Sequence, residues 1–181
     1  MRLRLLPIIA LLALATAAFA QGSPKITAKN WRQHPEIKKI RAIYSEVLGT
    51  IKRGKLEKGV REIHYCQPGA GGIKRTLYTQ GGKLVRQYTT NGNFEGGVAE
   101  DVEYYYDAMG RLRFVFAIYT DNQAEAQVQY RLYYNARGKL IWENRRHVKG
   151  TKKIYAPAKW SKYYHLGDPR KDFNTRQSKC N

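Results

Sequence analysis

The chain contains four histidines, His34, His64, His147 and His165, spread from one end to the other. None stands at the short spacing, such as His-Glu-x-x-His, that lets one element present two nitrogens to a metal ion. The serines are Ser23, Ser45, Ser161 and Ser178, and none lies in the Gly-x-Ser-x-Gly elbow that exposes a nucleophile. Gly69-Ala70-Gly71-Gly72 is rich in glycine but lacks the Lys-Ser or Lys-Thr of a phosphate loop, so it reads as a strand connection. Glu100, Asp101, Glu103 and Asp107 cluster before and within one hairpin, where a solvated outer face accounts for them better than an acid–base pair. No catalytic residue, cofactor or metal ligand is assigned. A small hydrolase stays as the third reading, and it requires a pocket in which His64 or His147 meets a carboxylate.

Binding chemistry has more to work with. Lys and Arg number 33 against 14 Asp and Glu, a formal charge of +19. Residues 21–62 carry 11 basic and 4 acidic side chains, and residues 145–181 carry 11 and 2. Residues 63–144 carry 9 and 8, so the excess belongs to the two flanks. Such a field favours encounter with an anionic partner, whether nucleic acid, lipid head group or acidic envelope polymer, and salt weakens it.

The first residues point to export. Arg2 and Arg4 precede an apolar run over 5–14, and Ala18-Phe19-Ala20 supplies small residues before a cleavage between Ala20 and Gln21. A membrane anchor is the competing reading, but spanning a bilayer takes about 20 apolar residues. The expectation is a signal peptide over 1–20 and one exported domain over 21–181, periplasmic or extracellular. Cys66 and Cys180 are the two cysteines. In an oxidising compartment a disulfide between them is the natural reading, with two unpaired thiols as the alternative.

Three segments share one spacing: Tyr78-Thr79-Gln80-Gly81-Gly82-Lys83-Leu84, Tyr106-Asp107-Ala108-Met109-Gly110-Arg111-Leu112 and Tyr134-Asn135-Ala136-Arg137-Gly138-Lys139-Leu140. The step between successive tyrosines is 28 residues both times, which means one supersecondary unit used three times. Each predicts a β-hairpin: Thr79, Asp107 or Asn135 opens the turn, and a glycine takes the left-handed position of a bulge. Alternation then places Tyr106 opposite Leu112, Tyr104 opposite Phe114, and Leu132 opposite Trp142, all on one apolar face.

Tyr106-Asp107-Ala108-Met109-Gly110-Arg111-Leu112 resembles the signature of the YD, or RHS, repeat family: Tyr-Asp, two variable residues, Gly-Arg and an apolar residue. The third unit has Asn135 and Lys139 in place of the Asp and Arg, and the first departs further with Thr79. The resemblance covers residues of about 73–144. Members of the family form long arrays that wrap into shells around toxin cargo, commonly with a shorter period. It therefore implies a hairpin geometry here and no toxin function, and the same turn also arises in unrelated β-meanders.

These units, with a further strand near Val60, predict an antiparallel meander of about seven strands over 55–148. An apolar sheet face needs a cover. Pro35 opens a segment to residue 53 in which Ile37, Ile40, Tyr44, Val47, Leu48 and Ile51 share a helical face, opposite Lys38, Lys39, Arg41 and Lys52. Closure into a barrel is the competing cover, and an anionic membrane surface is another seat for such a helix. The fold class is thus mainly β with one N-terminal helix packed on a face of the sheet. Residues 150–181 read as a basic aromatic arm, in which Lys153, Lys159, Trp160, Lys162 and Tyr163 could contact a polyanion by charge and stacking.

Arg75, Tyr105, Arg113, Arg131 and Tyr133 are expected on the outer side of the sheet as an exposed tyrosine–arginine binding surface. The function expected is a secreted or periplasmic, non-catalytic binding or scaffold protein engaging an anionic or protein partner of the envelope. A polyanion or nucleic-acid binder is the alternative.

Overall fold

A computed structural model describes residues 24–64, 71–94, 97–150 and 167–175. Helix α1 (Pro35–Lys52) is followed by seven strands, β1 (Glu57–His64), β2 (Gly72–Gln80), β3 (Leu84–Phe94), β4 (Val98–Tyr106), β5 (Leu112–Asp121), β6 (Ala126–Tyr134) and β7 (Leu140–Lys149), and by a short helix α2 (Pro169–Asn174). The strands pair antiparallel in sequence order from β1 to β7. The sheet is therefore an open meander with β1 and β7 at opposite edges. Among the described residues no helix is long and apolar enough to cross a membrane. Cys66, Cys180, Lys153, Lys159, Trp160, Lys162, Tyr163 and the proposed leader all lie outside the described residues.

Local chemistry sets the ends of α1. Pro35 begins it, and the His34 ring caps it: Nδ1 accepts from the Glu36 amide at 3.2 Å while Nε2 lies 2.7 Å from the Pro24 carbonyl oxygen. That pairing places the ring proton on Nε2. Gly54, at φ 67°, ends the helical stretch.

The second and third hairpins share one turn. Asp107 Oδ1 accepts from the Met109 and Arg111 amides at 2.9 and 3.1 Å, and Asn135 Oδ1 accepts from those of Arg137 and Lys139 at 2.9 and 3.0 Å. Gly110 and Gly138 both have φ 74°, where a side chain would be strained. The first hairpin is different from the one expected. Thr79 is inside β2, donating to Glu57, and the chain turns on Gly81 and Gly82, both at positive φ as a type I′ turn requires.

Register brings a second correction. Tyr106 pairs with Leu112, but the next pair is Tyr105 with Phe114, so Arg113 is an extra residue in β5. Ile141 is extra in β7, where Tyr133 pairs with Trp142, and Arg86 is extra in β3. Each bulge moves the residues beyond it to the other face. Phe114 and Trp142 thus join Tyr105 and Tyr133, and the sheet becomes apolar on both faces. One face gathers Leu77, Tyr88, Val102, Tyr104, Tyr106, Val115, Tyr130 and Leu132, with Phe173 of α2 packed on it. The other carries Tyr105, Phe114 and Tyr133, and α1 covers it with Ile37, Ile40 and Val47. The helix therefore sits on the face opposite the one that simple alternation assigns to it.

Candidate functional site

Three of the five residues expected on an exposed surface are buried under the first helix. Tyr105 and Tyr133, 0% and 3% exposed, lie beneath α1. Arg113 at the β5 bulge donates to Glu36 at 3.1 Å, to Asp107 at 3.2 Å and to the Tyr134 carbonyl at 3.1 Å. Arg75 is buried as well, on the opposite face, donating to the Asp172 carbonyl of α2 at 2.7 Å and pairing with the Asp172 carboxylate at 3.5 Å. Only Arg131 keeps partial exposure. The reason is the doubling of apolar faces: a position facing away from one core now faces another.

The buried arginines are structural. Arg86 repeats the role of Arg113 one hairpin earlier, pairing with Glu46 of α1 and reaching the Tyr106 carbonyl at 3.5 Å. The two bulges thus pin both halves of α1 to the sheet.

Cross-strand register then builds a surface beside the helix. Tyr105, Phe114, Tyr133 and Trp142 form one row over β4 to β7, and Glu103, Phe116, Arg131 and Asn144 form the next. The first row is capped by α1 through Tyr44, whose ring stands edge-on to Tyr105 at 4.9 Å and to Phe114 at 5.3 Å. Trp31, just before the helix, stacks on Trp142 at 6.2 Å and meets Tyr133 at 6.0 Å.

Between the helix and the second row opens a cleft of about 400 Å³, lined by Trp31, Tyr44, Phe114, Phe116 and Tyr133 and by the three arginines Arg32, Arg41 and Arg131. Arg131 lies 5.0 Å over the Phe116 ring and Arg32 lies 5.4 Å over that of Trp31. Among the described residues no carboxylate forms an ion pair with Arg32, Arg41 or Arg131. Burial raises the Tyr133 phenol above its ordinary pKa, while the positive charges of Arg131 and Arg41 act to lower it. Tyr105 is raised by burial and by its hydrogen bond to Glu103. Both phenols are therefore neutral donors at physiological pH.

The cleft is chemically suited to an anion with an apolar or sugar body: guanidinium forks for the charge and rings for the rest. Sequence reasoning found Arg131 and Tyr133. It missed Trp31 and Arg32, which lie in a turn with no periodic pattern. Arg41 was expected only on the basic face of the first helix, opposite the apolar one. The signal available was the basic amphipathic helix itself, whose Arg41 and Tyr44 both reach the cleft.

The carboxylates near His64 are engaged elsewhere. His64 shares a shallow depression with Glu62 and Asp101, but Lys74 donates to Glu62 and Asn91 to Asp101, each at 2.8 Å. Lys74 accordingly lowers the Glu62 pKa. His147 lies on the edge strand opposite Val128. Comparison of the chain with protein-family models, with curated proteins and with solved structures found no match to any of them.

Proposed function

We propose that the protein is an exported, non-catalytic binding module of the cell envelope, and that the aromatic–arginine cleft is where its anionic partner docks. The observation that carries this reading is a contrast among arginines. Arg75, Arg86 and Arg113, buried in the sheet, each pair with a carboxylate. Arg32, Arg41 and Arg131 instead converge on one open cleft with no carboxylate paired to them among the described residues. Uncompensated like charge gathered in one place costs free energy, and an anionic partner would relieve that cost.

The test is capture from envelope extract by the intact chain and by an Arg41→Ala, Arg131→Ala variant, at low and at high salt. The proposal expects a discrete anionic component that the variant loses at both salts. Capture unaffected by the substitutions would overturn it.

A polymeric anion is the second reading. Arg146 is exposed on the same face as Arg131, opposite Gln129 in the row beyond it, so positive charge continues past the cleft across β6 and β7. This reading expects affinity that falls steeply with salt and depends on Arg146 as much as on Arg41.

A further inference from the structure

We propose that the cleft beside α1 is built for a phosphomonoester, carried by a sugar or by a lipid head group; this rests on the anion-binding reading above. Charge matching is the first argument. The cleft gathers Arg32, Arg41 and Arg131, and no carboxylate lines it among the described residues; Glu103 stands outside the lining, opposite Phe116 in the row that continues to Arg131, and accepts from Tyr105. Three lining cations and this one neighbouring carboxylate leave a local excess of two. A single carboxylate would cancel half of that, whereas a phosphomonoester carries roughly −1.5 to −2 at neutral pH and offers three acceptor oxygens.

Geometry is the second argument. Arg131 over Phe116 and Arg32 over Trp31 are held flat against rings, so their orientation is set before a ligand arrives. A guanidinium stacked in this way turns its N–H edges sideways; Arg131 donates one of them to Gln129 Oε1 at 3.2 Å and keeps the rest of its donors for a ligand's oxygens. The same stacking argues against a nucleobase. Trp31 already has Trp142 and Arg32 against it, Phe116 has Arg131, and Phe114 and Tyr133 are buried. Apart from Tyr44, which stands edge-on to Tyr105 and Phe114, a base would have to displace a guanidinium to stack. The volume of about 400 Å³ lies toward the lower end of the range of about 300–1,000 Å³ that small-molecule sites occupy, which suits one sugar ring.

The experiment titrates the intact chain with glucose 1-phosphate, with glucuronate, with a single-stranded oligonucleotide lacking terminal phosphates, and with phosphatidylcholine vesicles with and without phosphatidic acid. The expected result is glucose 1-phosphate binding at least about tenfold more tightly than glucuronate, and falling by about tenfold or more in Arg131→Gln. Arg131→Lys, which keeps the charge and loses the fork, should also weaken it. Arg41→Gln, on the exposed helix surface, gives a second variant that leaves the fold intact. Binding of phosphatidic acid vesicles that Arg131→Gln abolishes supports a lipid-borne ester; binding of glucose 1-phosphate alone supports a soluble one. Glucuronate binding as tightly, or the oligonucleotide binding best, overturns the phosphomonoester while the anionic cleft stands. Failure of every anion to bind, or indifference to both arginine substitutions, overturns both.

Discussion

Arg113, the extra residue of the β5 bulge, donates to Glu36 in the first turn of α1 at 3.1 Å. The same guanidinium holds Asp107 of its own turn and the Tyr134 carbonyl of the next hairpin. One side chain thereby joins a helix, a turn and a neighbouring strand, and it sits 7% exposed while Glu36 is 31% exposed. Arg86 and Glu46 repeat the arrangement toward the other end of α1. The placement of the helix, and with it the wall of the cleft, depends on these two contacts.

Arg113→Ala should destabilise the chain by about 3 kcal/mol, because it removes at once the pairs to Glu36 and Asp107 and the bond to the Tyr134 carbonyl made by one buried side chain. Glu36→Gln should cost less, about 1 kcal/mol, since that carboxylate is partly solvated. Urea unfolding midpoints check both, and equal losses would contradict the asymmetry.

Acid should reveal Asp107. Burial alone would raise its pKa, but hydrogen bonds from the Arg111 side chain, the Arg111 and Met109 amides and Arg113 outweigh this and lower it. A carboxyl depressed in the folded state contributes stability above its unfolded pKa, about 4, that is lost as pH falls through the folded value. Melting temperature should therefore hold between neutrality and about pH 5 and fall below about pH 4. In Asp107→Asn the starting stability should be lower and the acid-dependent fall shallower.

The turn glycines give a paired test. A Cβ on Gly138 meets nothing within 4 Å, so Gly138→Ala should cost only the backbone strain of a left-handed residue, about 1 kcal/mol. On Gly110 the same atom comes 3.2 Å from Leu84 Cδ1, so Gly110→Ala should cost more. Thermal unfolding of the two variants side by side decides this.

The second helix rests on a close approach. A Cβ at Gly59 would stand 3.0 Å from Phe173 Cζ, and Phe173 packs on the core face that includes Tyr88. Phe173→Ala should destabilise by about 2 kcal/mol and raise hydrogen exchange in α2 and β2 ahead of the central strands. Uniform protection throughout would count against this packing.

Much of the fold was legible because its signals are local. Asp107 and Asn135 announce their turns, Gly110 and Gly138 fill the position only glycine takes without strain, and Pro35 opens a helix whose apolar residues recur at helical spacing. The bulges inside the strands, unlike the glycine bulges of the turns, were not legible. Arg113, Arg86 and Ile141 carry no mark of being extra residues, since a bulge is settled by what the opposite strand and the helix demand. Yet each inverts the faces beyond it, and for that reason Tyr105 and Tyr133, read as surface, are core. The cleft was half visible. Arg131 lay on a strand whose pattern could be read, whereas Trp31 and Arg32 acquire their place only when the turn before α1 folds back over Trp142.

The measurement that bears most directly on the cleft compares two double substitutions of equal charge. Arg41→Ala with Arg131→Ala removes two cations inside the cleft, and Arg145→Ala with Arg146→Ala removes two exposed ones on β7. Titrated with glucose 1-phosphate, the first pair should lose about a hundredfold in affinity, as expected for charge-assisted hydrogen bonds, and the second less than about threefold. Equal losses in the two would show that the chain attracts anions by its overall field, and would contradict a built site.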